Sequence, residues 1–197
     1  MLQEILKSAT KDHHDELEKL MFVGEIMKKT LNLQQYKTLL ATNYIVHAAI
    51  ESQLHDALDT ELKDILDIEN RNKLQALEQD LLEMNIDKEE LDAIKFDFPD
   101  VKQHNNASSL GAMYVLEGAT LGGHVIHKKL RANPEFEQLN LHYYTVYAQN
   151  LMPNWLTFVN VLNTKVAESD YAVAEQSAVS MFNHIAEVSR TVKTVLA

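Results

Sequence analysis

Apolar residues recur at helical spacing through almost the whole chain, and this periodicity most narrows what it can fold into. Leu2, Leu6, Ala9, His13, Leu17 and Leu20 follow steps of 4-3-4-4-3, one face of a helix. Turn formers are scarce: 5 Gly and 3 Pro serve 197 residues, too few for the many tight turns of an all-β protein. Further helices are predicted over 22–29, over 33–58 behind an Asn32/Gln35 capping box, over 70–84, and briefly after Asp87, paired with Glu90. Asp97-Phe98-Pro99-Asp100 reads as a break before a long helix over 103–130. Asn133-Pro134 supplies a loop and a cap with proline at the first helical position, and two more helices fit 154–164 and 171–196. No internal repeat, low-complexity tract or linker interrupts the pattern. The expectation is an all-α fold, one domain spanning 1–197, with helices packed round a shared core.

Charge and residue types exclude several functions. Asp and Glu number 29 against 18 Lys and Arg, a net charge of −11. A polyanion is repelled by such a surface, so neither nucleic acid nor an anionic membrane is an expected partner. The chain has no cysteine, which excludes disulfides, thiolate metal sites, iron–sulfur clusters and cysteine nucleophiles. Met1-Leu2-Gln3-Glu4-Ile5-Leu6 lacks the basic-then-apolar order of a signal peptide. No apolar run reaches the roughly 18 residues of a membrane span, and a cytoplasmic location is expected.

The glycines sit where a helix least wants them. Gly111, Gly118, Gly122 and Gly123 fall within thirteen residues of the longest predicted helical stretch, each costing about 1 kcal/mol relative to Ala. Gly111, Gly118 and Gly122 are spaced by seven and four, so they share one face. That face lacks side chains over about 16 Å of helix axis. Two readings stand: a close helix–helix crossing, or a planar ligand laid against the backbone. Such a cluster also lets a helix bend.

Among nine histidines, His13 and His14 stand together in the first helix. His13 lies on the apolar stripe, where a histidine usually fills core; His14 lies about 100° round, at the stripe's edge. Glu18 follows His14 by four residues, one turn away on the same face. A carboxylate there can orient an imidazole whose other nitrogen binds metal. His47, Glu51 and His55 share a face at i, i+4 and i+8, and a solvated face is expected there rather than a metal chelate. His124 and His127 form only a weak pair. No histidine has a glutamate three residues before it, which removes the di-iron carboxylate bundle. There is no phosphate-binding glycine loop and no H-E-x-x-H.

Two segments carry a family resemblance. Leu6-Lys7-Ser8-Ala9-Thr10-Lys11-Asp12-His13-His14-Asp15-Glu16-Leu17-Glu18 resembles the proximal helix of heme oxygenases. Tyr114-Val115-Leu116-Glu117-Gly118-Ala119-Thr120-Leu121-Gly122-Gly123 resembles their distal helix in its bacterial form. The segments lie roughly a hundred residues apart, as that fold requires, and helical order agrees along most of the chain. The resemblance implies a helical bundle with heme between the first helix and a kinked, glycine-rich distal helix. It implies His14 as axial iron ligand, Glu18 as its hydrogen-bonding carboxylate, and Lys7 as a propionate partner. Thr10 and Phe182 fall at heme-contacting positions, and Gly118, Gly122 and Gly123 form the distal face.

The activity so implied is O2- and electron-dependent opening of bound heme to biliverdin, carbon monoxide and iron. A neutral imidazole pushes less electron density toward O–O cleavage than a thiolate would, which suits attack on the macrocycle itself. The protein supplies ligation, orientation and exclusion. No flavin or nicotinamide fingerprint is present, so electrons come from an external reductase, a ferredoxin or a flavodoxin, whose acidity asks for a local basic docking patch. A monomer or weak dimer is expected. The chain departs from the family at Ala119, where animal enzymes carry an aspartate. It also lacks any glycine after Gly123 and any Arg or Lys over 155–163, and has Val188 where others have tryptophan. Those departures motivate a second reading, a non-catalytic heme carrier or sensor. A third is a helical interaction domain whose glycines serve packing alone.

Overall fold

The computed structural model describes residues 1–96 and 105–196. Ten helices are placed among the described residues, with no strand: α1 (Leu2–Ala9), α2 (Lys11–Leu20), α3 (Val23–Lys28), α4 (Leu33–Asp56), α5 (Thr60–Leu66), α6 (Leu74–Glu83), α7 (Lys88–Ala93), α8 (Asn106–Arg131), α9 (Leu151–Lys165) and α10 (Tyr171–Val195). None is long and apolar enough to cross a membrane. The expected break at 97–100 and the expected helical residues Gln103 and His104 lie outside the described residues.

Capping chemistry sets several starts. The Asn32 side chain accepts from Gln35 N at 2.8 Å while Gln35 Oε1 accepts from Asn32 N at 3.0 Å, opening α4. Asn105 and Ser108 make the same reciprocal pair before α8. Asn133 caps a 3-10 turn with Pro134 at its first position, and its amide donates to Leu31 O at 3.0 Å, tying the end of α8 to the start of α4. Before α7 the Asp87 carboxylate accepts from Glu89 N at 2.8 Å.

Three boundaries differ from the periodicity. The first apolar stripe is not one helix. It breaks at Thr10, whose φ of −97° and ψ of 2° leave the helical region and whose hydroxyl donates a back-bond to Leu6 O at 2.7 Å. Helix α5 falls where none was predicted; Asp59 starts it by accepting from Leu62 N at 2.9 Å. The predicted helix over 70–84 is a 3-10 turn over Ile68–Arg71 and then α6.

The core is one continuous cluster that includes Leu2, Leu6, Leu40, Tyr44, Leu110, Phe158 and Val192. Helix α10 is its spine, packed on α8, α4, α2 and α1. Where α10 meets α8 the backbones nearly touch: a Cβ on Gly111 would stand 2.1 Å from the Ala174 carbonyl oxygen. For Gly111, the helix-crossing explanation is therefore the right one.

Candidate functional site

Helix α2 carries His14 outward. Its side chain is 58% exposed, with Nδ1 3.8 Å from Glu18 Oε1 and 4.0 Å from Asp15 Oδ1. One turn of α2 thus places a carboxylate beside Nδ1 and leaves Nε2 for another partner. His13 is half-buried, as its place on the stripe requires. Phe182 of α10, almost fully buried, sets its ring edge-on to His14 at 6.1 Å between centroids. Lys7 is exposed on α1 and makes no ion pair among the described residues. Thr10 is buried, and its hydroxyl hydrogen is spent on Leu6 O.

Helix α8 treats its glycines differently along its length. Gly111 is pressed by Ala174, and Gly118 would meet only the Trp155 ring at 3.9 Å. Gly122 is exposed, and a Cβ there would have nothing within 4 Å. Gly123 is buried, turned toward Tyr144 at 3.4 Å rather than toward open space. The Thr120 hydroxyl donates to Glu117 O at 2.6 Å, a second back-bond, placed between Gly118 and Gly122. Ala119 and Gly123 border a cavity of about 230 Å³ together with Tyr143, Tyr144 and Tyr147, a space that neither Gly118 nor Gly122 lines.

A buried charged cluster lies against α8. Glu117 bonds to Arg71 Nη1, accepts from Lys73 Nζ at 2.8 Å, and accepts from the Tyr147 hydroxyl at 2.8 and 3.0 Å. Lys73 also donates its backbone N–H to Glu51 at 2.9 Å and its ammonium at 3.3 Å. His47 Nδ1 sits 3.0 Å from Glu51 Oε1, out of line for a good hydrogen bond, and Nε2 is 3.3 Å from the Tyr143 hydroxyl. The solvated face expected for His47 and Glu51 is thus wrong: they are 2% and 1% exposed, sealed under the Arg71–Lys73 segment. Glu51 is committed to Lys73 and His47, and Tyr143 to His47 and Asn43, so neither is free for a metal or a propionate.

The cluster holds its charges. Burial would raise the Glu51 carboxyl, but His47 and Lys73 overcome it and hold it near a pKa of about 2. Burial acts on Glu117 the same way, and Lys73 and Arg71 reverse it, leaving the carboxyl below its ordinary value. Burial would neutralise Lys73; the Glu117 and Glu51 carboxylates keep it an ammonium. Burial pushes the Tyr147 hydroxyl up to about 12, so it donates as a neutral phenol. Periodicity left these partners unseen. Arg71, Lys73 and Tyr147 come from irregular segments, and only the acidic Glu117 inside an apolar helical run hinted at a buried partner.

The described residues combine an all-helical fold, an exposed histidine with a carboxylate one turn on, and a long helix open at Gly122. The heme oxygenase family model matches residues 1–191, so the chain belongs to the heme oxygenase family, and its activity is heme degradation. Among solved structures, it is similar to the NO- and CO-bound heme oxygenase of Neisseria meningitidis, at TM-score 0.74 and 22% identity, covering 98% of this chain and 92% of that one. It is also similar to heme oxygenase-1 of the cyanobacterium Synechocystis in complex with heme, at TM-score 0.74 and 18% identity, covering 99% and 93%. No curated protein sequence matches the chain.

Proposed function

We propose that this chain opens heme to biliverdin, carbon monoxide and iron, using O2 and electrons from an external one-electron donor, with the substrate held between α2 and α8. The observation that carries this reading is Gly122. An exposed glycine inside a 26-residue helix gives up helix propensity, and no neighbour demands its bare backbone, as Ala174 demands that of Gly111. A flat ligand approaching α8 is what gains from it.

The residues present fit heme. His14 would hold the iron through Nε2, and Glu18, 3.8 Å from Nδ1, is the carboxylate placed to orient the ring once that distance closes. Lys7 would bring a cation to a propionate, and Phe182, edge-on to His14, would wall the imidazole side. Gly118 and Gly122 let the α8 backbone approach the opposite face. Heme, once bound, supplies the oxygen and redox chemistry, and the chain orients it. Thr10 keeps only its acceptor side for a ligand, its hydrogen being donated to Leu6 O, and the Gly123 Cα faces Tyr144.

Anaerobic heme titration followed by a single turnover with reductant, O2 and catalase tests the reading. The expected result is a Soret band on titration, then its loss as a biliverdin band grows. His14→Ala loses the axial-ligand spectrum, whereas His13→Ala keeps it; the reverse would move the ligand to His13. A Soret band that survives repeated reduction and oxygenation identifies a heme carrier instead. No Soret shift at all removes heme from the account.

A further inference from the structure

We propose that Glu117 is the positioning residue of the glycine face: through Arg71, Lys73 and Tyr147 it sets where Gly118 and Gly122 stand. This rests on the reading of α8 as one wall of the heme site. The glycine face cannot set its own position. A Cβ at Gly122 would meet nothing, and Gly118 has only the Trp155 ring, 3.9 Å from where its Cβ would be. The next residue toward the N-terminus, Glu117, is 1% exposed and holds three partners.

One of those partners reaches further. The Arg71 guanidinium that pairs with Glu117 also donates through Nη2 to Asn154 O at 3.0 Å and through Nε to Leu66 O at 2.6 Å. Asn154 precedes Trp155, whose ring stands over Gly118. One side chain therefore links the residue before Gly118 to the residue before its only neighbour, and the pairing of α8 with the start of α9 is set through it. Lys73 adds a second link, from Glu117 to Glu51 on α4. Two carboxylates and two cations balance in this cluster. A buried ion group is weak as a source of stability, because well-packed apolar residues do as well, and its better-attested use is to fix registry. Registry is what a helix face without side chains lacks.

Trp155 is the chain's single tryptophan, so its emission reports this pairing in the protein without heme. Glu117→Gln and Tyr147→Phe are compared with Tyr44→Phe, which removes a hydroxyl from another buried ring, bonded to Asp92 of α7 at 2.7 Å instead of to α8. Three quantities are read: Trp155 emission in the apo protein, the C–O stretching frequency of the carbon monoxide adduct of the heme-loaded protein, and the biliverdin isomer composition from an ascorbate-driven turnover. Glu117→Gln is expected to shift the first two and to turn the wild-type isomer composition into a broader mixture. Tyr147→Phe shifts all three in the same direction by less, and Tyr44→Phe shifts none. Wild-type emission, stretching frequency and isomers in a folded Glu117→Gln variant overturn the proposal. If that variant does not fold, Tyr147→Phe retains all four charges and decides the matter by the same comparison. Failure of the wild type to release any biliverdin overturns the heme-degradation reading instead, and apo emission still decides the positioning.

Discussion

Two histidine–glutamate pairs at the same helical spacing live in opposite surroundings. His14 and Glu18 on α2 are 58% and 49% exposed and stand 3.8 Å apart. The His47 and Glu51 side chains on α4 are both almost wholly buried and stand 3.0 Å apart. Spacing alone makes both look like ligand sets, and it cannot separate them. What separates them is the partner. Glu51 meets a buried ammonium and a backbone N–H from Lys73, so its charge is consumed inside the fold. Among the described residues Glu18 pairs only with His14 and is half exposed, which under the proposed reading leaves the pair for heme. The same division runs through α8, where Glu117 faces the sealed cluster and Gly122 the open side.

The sharpest way to break this comparison is to remove a cation from the sealed side. Lys73→Met strands Glu51 and Glu117 with Arg71 as their remaining buried cation. Breaking a buried ion pair by deleting one partner costs about 3–5 kcal/mol, on the order of 10 °C in a chain of this length. Lys11→Met removes an equally short contact, 2.6 Å to Asp15, at a site where both side chains are at least half exposed, and Tm should not move. Thermal unfolding of the two variants checks the contrast. Equal shifts would mean that burial does not decide the worth of these pairs.

A pH series sharpens it at somewhat lower cost to the fold. Burial, chiefly, lowers the His55 pKa from 6.5 to about 4. The folded state refuses a proton that the unfolded chain accepts, so this contribution is complete above 6.5 and is lost as pH falls toward 4, roughly 3 kcal/mol in all. Glu51 is likewise depressed, from 4.5 to about 2, and its contribution is lost as pH falls through that lower window. Denaturant unfolding from neutral pH into the acid range should show both limbs. His55→Gln should remove the upper limb and leave the lower. A variant whose decline parallels the wild type throughout would take His55 out of the explanation.

How much of this was legible depended on whether the signal was local. Caps are local, and the pairs Asn32–Gln35 and Asn133–Pro134 were readable as such. Helix α5 was missed because seven residues are too few turns for a period to show. The break at Thr10 was missed because the apolar stripe continues straight across it. Exposure along α4 was misjudged because that helix is buried on most of its circumference, so a polar row there is enclosed instead of solvated. His14 and Glu18 were legible because one turn of one helix holds both. Glu117, Arg71, Lys73 and Tyr147 were not, because their meeting depends on packing between segments far apart in the chain.

The smallest expected effect has opposite signs in two measurements, and that is its use. Gly122 has an ordinary helical backbone, since no glycine here has positive φ. Its Cβ position is open. Gly122→Ala should therefore stabilise the protein without heme by about 1 kcal/mol, the usual gain in helix propensity. Under the proposed reading the same methyl group would stand between the α8 backbone and heme, so heme affinity should fall. Gly111→Ala has no such freedom, because its methyl would meet the Ala174 carbonyl, and it should destabilise the protein with or without heme. Apo Tm and a heme titration on both variants decide between the two explanations of the glycine face. A Gly122→Ala protein that is more stable and binds heme as the wild type does would mean that heme does not touch this face. A less stable one would return Gly122 to helix packing, the role its neighbour Gly111 already fills.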